Sequence, residues 1–225
     1  MSYGKGILAA LLVVVLAGCV STGPDTEFLQ PVHEHKPRSV LIVPVKNETI
    51  DVQAPTSVLA TLPMVLAERG YYAFPVNTVK TLLENEGYYE AAEVHNAPPE
   101  ALASMFGADT ILYVTIHEWD AKYIILSTTT TVDFEYRLVN HDGTELWHAR
   151  KSLAYNPNNQ NSSGNPLVDL FAMAITAAIE RAAPNYLPLT RTANAEAFRN
   201  GQRGLPPGPY DPLYIEYYNG LAINE

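Results

Sequence analysis

Cys19 is the residue of this sequence with the most distinctive covalent chemistry, because it is the only cysteine among 225 residues. With no second thiol, an intramolecular disulfide is impossible, and a lone exposed thiol is a liability in an oxidising compartment. It follows Lys5 and an uncharged apolar run at 7–17, which is too short for a spanning helix of about 20 residues. This pattern predicts a secretory signal peptide over residues 1–18.

The stretch Leu16-Ala17-Gly18-Cys19 resembles the lipobox of bacterial lipoproteins. The resemblance implies cleavage between Gly18 and Cys19 and acylation of the Cys19 thiol. Two or three acyl chains hold a protein on a membrane permanently, whereas one chain binds only marginally. Val20 rather than Asp follows the cysteine, which favours the periplasmic face of the outer membrane. The alternatives are a signal peptide that happens to contain a cysteine, or a buried N-terminal helix.

The motif His33-Glu34-His35 has the residue types of a metal site, but it lies in a proline-containing segment without a rigid frame. A solvated linker is therefore the favoured interpretation. The sequence has no G-x-S-x-G nucleophile motif and no glycine-rich phosphate loop. A hydrolase would require Asp51, Asp109 or Asp120 to converge with a histidine in a cleft. We predict no catalytic residue, no metal and no cofactor.

Tyrosine is abundant, with 14 residues against 6 Phe and 2 Trp. Its apolar ring and polar tip suit half-wet surfaces and interfaces. The pairs Tyr71-Tyr72 and Tyr88-Tyr89 are therefore candidates for an interface, or for the lining of a ligand pocket. The alternative is that each adjacent pair places one ring in the core and one at the surface of a strand.

The net charge of −10 excludes one class of partner. An acidic surface does not favour binding to a phosphate backbone, so nucleic acid is not expected as a partner. The hydrophobic content of 47% is ample for a folded core.

The elements that must position these residues follow from periodicity. Predicted strands lie at residues 39–45, 71–76, 110–118, 126–139 and 144–154, and predicted helices at 56–69, 77–86, 99–106 and 167–183. Pro63 should kink or split the first helix, and Asp142-Gly143 should form a hairpin turn. Helices separate the first three strands, which can therefore be parallel, and the last three form a meander. The order β-α-β-α-α-β-β-β-α predicts an α/β (α+β) domain over 39–185 with one mixed sheet of about five strands.

Two flanking segments and one strand need separate interpretation. Residues 19–38 contain three prolines and few apolar residues, which predicts an extended lipidated tether. Residues 186–225 are predicted to form an extended proline-rich tail, since 205–212 cannot form a helix or a central strand. The run Thr128–Thr131 is either an exposed edge that accepts another strand or an ordinary strand with one polar face.

Several segments together resemble a family of Gram-negative lipoproteins of unknown function, often encoded beside CsgG/HfaB-type lipoproteins. The matching residues are 37–44, Asn47, Thr49, Asp51, Val52, 70–76, 106–109 and 208–210. The resemblance implies a fold similar to the N-terminal domain of TolB, but it implies no activity.

Two functions remain open on the sequence alone. The first is a non-enzymatic accessory of the cell envelope that docks protein partners, either a CsgG-like lipoprotein or a second copy of itself. The alternative is a periplasmic module that binds a small molecule, lipid or glycan in a tyrosine-lined pocket.

Overall fold

The structure is a computed structural model. It describes residues 23–124, 127–155, 186–199 and 201–222. Gly18, Cys19 and the predicted helix at 167–183 lie outside the described residues. The signal peptide, its cleavage site and the lipid anchor therefore stay predictions.

Within the described residues, six strands form one mixed sheet. They are β1 (Ser39–Ile42), β2 (Lys46–Asn47), β3 (Tyr72–Ala73), β4 (Thr110–Ile124), β5 (Ser127–Asn140) and β6 (Glu145–Tyr155). The order across the sheet is β3-β1-β4-β5-β6, and β2 pairs with β4 beyond the end of β1. The pairs β1–β3, β1–β4 and β2–β4 are parallel, whereas β4–β5 and β5–β6 are antiparallel. The predicted mixed sheet is confirmed, with β2 as an addition.

The helices follow the proline and glycine signals closely. They are α1 (Thr26–His35), α2 (Ala54–Leu59), α3 (Leu62–Glu68), α4 (Val76–Asn85), α5 (Ala91–Asn96), α6 (Pro99–Phe106), α7 (Tyr186–Arg199) and α8 (Tyr214–Ala222). Pro63 lies in the first turn of α3, where its missing N–H costs no hydrogen bond, so the predicted helix at 56–69 is split in two. Gly107 ends α6 in the left-handed conformation, with φ of 65°.

One face of the sheet carries the larger core. Helices α1, α2, α3 and α7 contribute to it, and the aromatic residues at its centre are Phe134, Tyr136, Trp147 and Phe198. The Tyr136 hydroxyl donates to Asn194 Oδ1 at 2.7 Å, and Asn194 Nδ2 donates to Thr61 Oγ1 at 2.7 Å. These bonds satisfy the polar atoms that the core buries.

The other face of the sheet carries a smaller core. Leu83 of α4, Val94 of α5 and Leu102 of α6 pack against Leu41 of β1 and Ile111 of β4. These helices cover β1 and the first residues of β4. The rest of this face, on β4, β5 and β6, bears polar side chains.

The prediction of an extended tether is wrong for the part of it that forms α1. Asp25 caps this helix by accepting a hydrogen bond from the Phe28 N–H at 3.1 Å. Leu29 and Val32, three residues apart, lie on one face of the helix and are fully buried in the larger core. Burial of these two side chains outweighs the single intrahelical hydrogen bond that Pro31 cannot make.

The prediction of a wholly extended tail is wrong for α7 and α8. In α7, Ala193, Ala197 and Phe198 recur at helical spacing and pack into the larger core, and Pro188 lies in the tolerant first turn. Between these two helices lies the stretch Leu205–Asp211, which we name the C-terminal strap. It has no helix or strand, and its first residues are buried against the domain.

Thr130 and Thr131 do not lie at an edge of the sheet, because both pair with β4 and with β6. Thr130 pairs with Ala121 on one side and Tyr155 on the other. The interpretation as an ordinary strand is confirmed for this part of β5.

Candidate functional site

The open part of the second sheet face is densely charged. Its side chains come from alternate residues of three strands: Thr115 and His117 of β4, Asp133, Glu135 and Arg137 of β5, and His148 and Arg150 of β6. Opposite charges pair across the strands. Arg150 donates to both carboxylate oxygens of Asp133, with the shortest distance 2.7 Å, and Arg137 Nε donates to Glu145 Oε2 at 3.0 Å. Exposed pairs of this kind contribute little stability.

His117 of β4 bonds two carboxylates, one from the loop after β2 and one from β5. Its Nδ1 lies 2.8 Å from Glu48 Oε2 and its Nε2 lies 2.8 Å from Glu135 Oε2. Both partners accept, so both ring nitrogens must carry a proton for the two hydrogen bonds to form. Burial lowers the pKa of His117, but the bonds to Glu135 and Glu48 outweigh that effect and raise it above 6.5.

A polar cleft of about 390 Å³ opens between this face and α5. Tyr113, His117 and Arg137 line its sheet side, and His95 of α5 lines the opposite side. Burial lowers the pKa of His95, and the nearby charges of Lys46 and Arg137 lower it further, against the opposing effect of the hydrogen bond to Pro44 O. His95 is therefore neutral at neutral pH.

The loop after β2, Asn47–Gln53, is held by its own side chains. Asn47 Nδ2 donates to Asp51 O at 2.8 Å, and Asn47 Oδ1 accepts from the Thr49 hydroxyl at 2.8 Å. Asp51 Oδ1 accepts from the Gln53 N–H at 2.8 Å. The loop thereby presents two aliphatic side chains to solvent: Ile50 is 101% exposed and Val52 is 87% exposed.

The four candidate tyrosines do not come together in a pocket. Tyr71 is buried in the larger core, and its hydroxyl donates to Pro206 O at 2.8 Å. It is therefore not available to a partner. Tyr72 is 49% exposed and Tyr89 is 74% exposed, while Tyr88 is half-buried against the smaller core. The interface prediction stays open for these three residues.

The other candidate residues are held in separate structural contacts. Asp109 accepts from the backbone N–H groups of Arg38 and Ser39, which ties β4 to β1. Asp51 serves the Asn47–Gln53 loop, and His33 and His35 contact Tyr217 and Asn140 respectively.

The positions of these residues can be compared with what a metal site or a hydrolase would require. Asp51 and Asp109 each make local structural hydrogen bonds, and Asp120 lies further along β4. No group of three or more His, Cys, Asp or Glu side chains suited to a metal ion occurs within the described residues.

Segments that are distant in sequence meet at the C-terminal strap. The Gly208 N–H donates to Arg69 O at 2.7 Å, and the Tyr210 N–H donates to Gly70 O at 3.0 Å. A Cβ on Gly70 would overlap the backbone N of Asp211. Two of the segments that carry the family resemblance, 70–76 and 208–210, are thus in direct backbone contact.

Residues 29–210 match the protein family described as "Putative lipoprotein GNA1162-like". The chain belongs to this family. It is 39% identical over 158 residues to the "Putative lipoprotein NMB1124/NMB1162" of Neisseria meningitidis serogroup B, covering 69% of this chain and 73% of that relative. The crystal structure of lipoprotein GNA1162 from Neisseria meningitidis aligns with a TM-score of 0.54 and 37% identity, over 65% of this chain and all of that one. The family resemblance and the mixed α/β fold are confirmed.

A third similarity is too weak to support conclusions about function. The C-terminal domain of LpoB from Salmonella enterica aligns with 18% identity and a TM-score of 0.38, over 57% of this chain and 96% of that one. Among the described residues, no helix has both the length and the apolar character that crossing a bilayer requires.

Two features of the site, the exposed aliphatic pair on the loop and the polar cleft, were not predicted from the sequence. The exposed Ile50 and Val52 could have been found, because Asn47, Thr49 and Asp51 alternate with them and are turn-forming residues. The cleft could not, since Lys46, His95 and Arg137 come from three separate elements.

Proposed function

We propose that this chain is a lipid-anchored, non-enzymatic accessory of the cell envelope that docks a protein partner through the Asn47–Gln53 loop. Membership of the lipoprotein family supports the anchor. The proposal places acylated Cys19 on the periplasmic face of the outer membrane, as the Val20 after it favours.

The observation that carries the proposal is the loop itself. Two adjacent aliphatic side chains, Ile50 and Val52, are almost entirely in water, and each costs free energy there that burial against a partner would recover. The side-chain hydrogen bonds of Asn47, Thr49 and Asp51 order the loop in advance. A pre-ordered loop loses less conformational entropy on binding, so the pair suits insertion into an apolar pocket of a protein.

The placement of the acidic residues supports a non-enzymatic role. The carboxylates of Asp51 and Asp109 accept hydrogen bonds from backbone N–H groups. Neither is aimed with a histidine into the cleft, as hydrolysis would require.

The start of α1 determines how far the domain can lie from the membrane. At about 3.5 Å per residue, the stretch from Cys19 to Thr26 spans at most about 25 Å. The folded domain would therefore begin close to the headgroups. A partner reached through the loop would lie in the same membrane-proximal layer.

The test is site-specific photocrosslinking in cells. The photoreactive residue p-benzoylphenylalanine replaces Ile50 or Val52 in the full-length chain, and Leu82 of α4, an apolar residue that is 41% exposed, serves as the matched control position. We expect one discrete protein adduct from positions 50 and 52 and none from Leu82. Mass spectrometry identifies the adduct.

Other outcomes contradict the docking proposal. Adducts to phospholipid alone would mean that the loop lies on the bilayer, and equal adducts from Leu82 would mean non-specific proximity. The comparisons do not support the predicted CsgG-like partner, and the adduct mass distinguishes any other protein from a second copy of this chain. Separately, the Cys19→Ser variant should leave the membrane fraction, and its retention there would contradict the lipid anchor.

A further inference from the structure

The polar cleft between α5 and the open sheet face shares Glu48 with the Asn47–Gln53 loop, but Ile50 and Val52 do not line it. Its volume of about 390 Å³ lies in the range of small-molecule sites, about 300–1,000 Å³. Its lining is polar and mixed in charge rather than the continuous apolar surface of a peptide groove. A ligand of roughly monosaccharide size fits such a space.

The cationic side chains of the cleft are the groups that can attract an anion. Lys46 and Arg137 line it together with two carboxylates, Glu48 and Glu135, and His117 bridges these carboxylates. Because His117 engages both carboxylates, Lys46 and Arg137 are the charged lining groups that a ligand of opposite sign would meet.

The hydrogen bonds already made by the lining residues also favour an anionic ligand. His117 already donates to both carboxylates of the cleft. Lys46 donates to Glu48, and the Nε of Arg137 donates to Glu145 outside the cleft. An ammonium has three N–H donors and a guanidinium has five, so both retain donors. These remaining N–H groups need hydrogen-bond acceptors, which the oxygens of an anionic ligand would supply.

Tyr113 adds a specific unsatisfied group. Its side chain is only 7% exposed and contributes to the lining of the cleft, and its hydroxyl has no hydrogen-bond partner among the described residues. A buried hydroxyl without a partner is costly. Arg137 lies directly opposite Tyr113 across the β4–β5 pair, so the two residues are cross-strand neighbours on the same face of the sheet.

We propose that this cleft binds a small organic anion, bearing a carboxylate or a phosphate, with Arg137 and Lys46 as the charged contacts and Tyr113 as a hydroxyl donor. Asn96 and Thr115, which also line the cleft, provide neutral polar contacts to the rest of the ligand. Ile50 and Val52, the proposed docking side chains, do not line the cleft, so either proposal can fail without the other.

The experiment is a titration of the full-length lipidated chain in non-ionic micelles, followed by NMR of ¹³C-labelled histidine and tyrosine rings. The probes are glucuronate for a carboxylate, inorganic phosphate for a phosphate, and glucose as the neutral counterpart of glucuronate. We expect saturable shifts of the Tyr113 and His95 signals with at least one anion and none with glucose. The two anions distinguish the acidic group that the cleft prefers.

Variants separate binding from non-specific charge effects. Arg137→Gln should weaken binding by about tenfold or more, and Tyr113→Phe by about fivefold. Arg150→Gln, on the same sheet face but outside the cleft, should leave it within about twofold. Unchanged thermal unfolding of each variant confirms folding.

Three results would overturn the proposal. They are shifts that do not saturate with either anion, an Arg137→Gln effect no larger than that of Arg150→Gln, and a response to glucose equal to that of glucuronate. The last result would assign the cleft to neutral saccharides instead.

Discussion

The Asn47–Gln53 loop and the C-terminal strap carry two parts of the same family pattern but direct their hydrogen bonds differently. The loop bonds largely to itself, through Asn47, Thr49 and Asp51, and leaves Ile50 and Val52 in solvent. The strap bonds to the rest of the domain and buries Leu205, Pro206 and Pro207. A segment that bonds to the rest of the domain stabilises the fold, whereas Ile50 and Val52 stay exposed on a loop that is held largely by its own side chains.

The largest effect should come from the closest backbone approach at the strap. Gly70 has φ of 75°, and a Cβ there would overlap the backbone of Asp211. Gly70→Ala should therefore lower the free energy of unfolding by about 3 kcal/mol or more, measured by urea unfolding of the full-length chain in micelles.

Gly87 is the matched control, because it has φ of 93° but no atom lies within 4 Å of the position that a Cβ would occupy. Gly87→Ala should cost only the strain of the left-handed conformation, about 1 kcal/mol. Equal losses at the two glycines would show that the strap does not constrain the domain.

A smaller effect should follow from removing one hydroxyl. Tyr71→Phe deletes the hydrogen bond to Pro206 O and leaves a buried carbonyl without that donor, which should cost about 1–2 kcal/mol. Tyr72→Phe is the control, since Tyr72 is 49% exposed, and should be neutral. A neutral Tyr71→Phe would mean that the Tyr71 hydroxyl does not help to hold the strap, which hydrogen bonds from the Arg69 side chain and from the backbone also hold.

The strap and the sheet show how far the sequence can predict this fold. The succession of strands along the chain, and the meander of the last three, followed from apolar runs, alternation and turn residues, all of which are local signals; the order across the sheet was not predicted. The contact between Tyr71 and Pro206 joins residues 135 positions apart, and no local pattern encodes it. Likewise, α1 was not predicted because Pro31 lies within it, although Leu29 and Val32 have helical spacing.

The two candidate sites likewise differ in whether a local sequence pattern encodes them. The loop could be anticipated, because alternating Asn, Thr and Asp residues form turns by bonding to nearby backbone. The cleft could not, because the register between β4 and β5 decides that Tyr113 faces Arg137. A shift of one residue would move every side chain to the other face.

A pH-dependent effect of intermediate size should appear where the loop joins the sheet. His117 has a raised pKa and bonds Glu48, which precedes the loop's exposed residues. Its stabilising contribution is fully present below pH 6.5 and is lost as the pH rises through the folded-state pKa. We expect wild type to exceed His117→Gln in melting temperature by about 2 °C near pH 5.5, with the difference vanishing by about pH 8.

His148→Gln is the control for this experiment, because His148 lies on the same sheet face but its side chain is 59% exposed. The titration of His95 is common to wild type and variant and cancels in the difference. A gap between wild type and His117→Gln that grows with pH would contradict the protonated, doubly bonded imidazole.

The smallest effect on stability should come from the loop's two aliphatic residues, and that small effect is the sharpest test of the comparison. Ile50 and Val52 bury almost nothing, so Ile50→Ser and Val52→Ser should each change the free energy of unfolding by less than about 0.5 kcal/mol, as should the control Leu82→Ser. A loss near that of Tyr71→Phe would mean that these side chains pack within the domain, and the loop would then be a second strap. Near-zero losses, together with loss of the photocrosslinked adduct when the serine substitution and the crosslinker occupy the two different positions, would support a role in partner binding. The two side chains would then contribute nothing measurable to the stability of the domain.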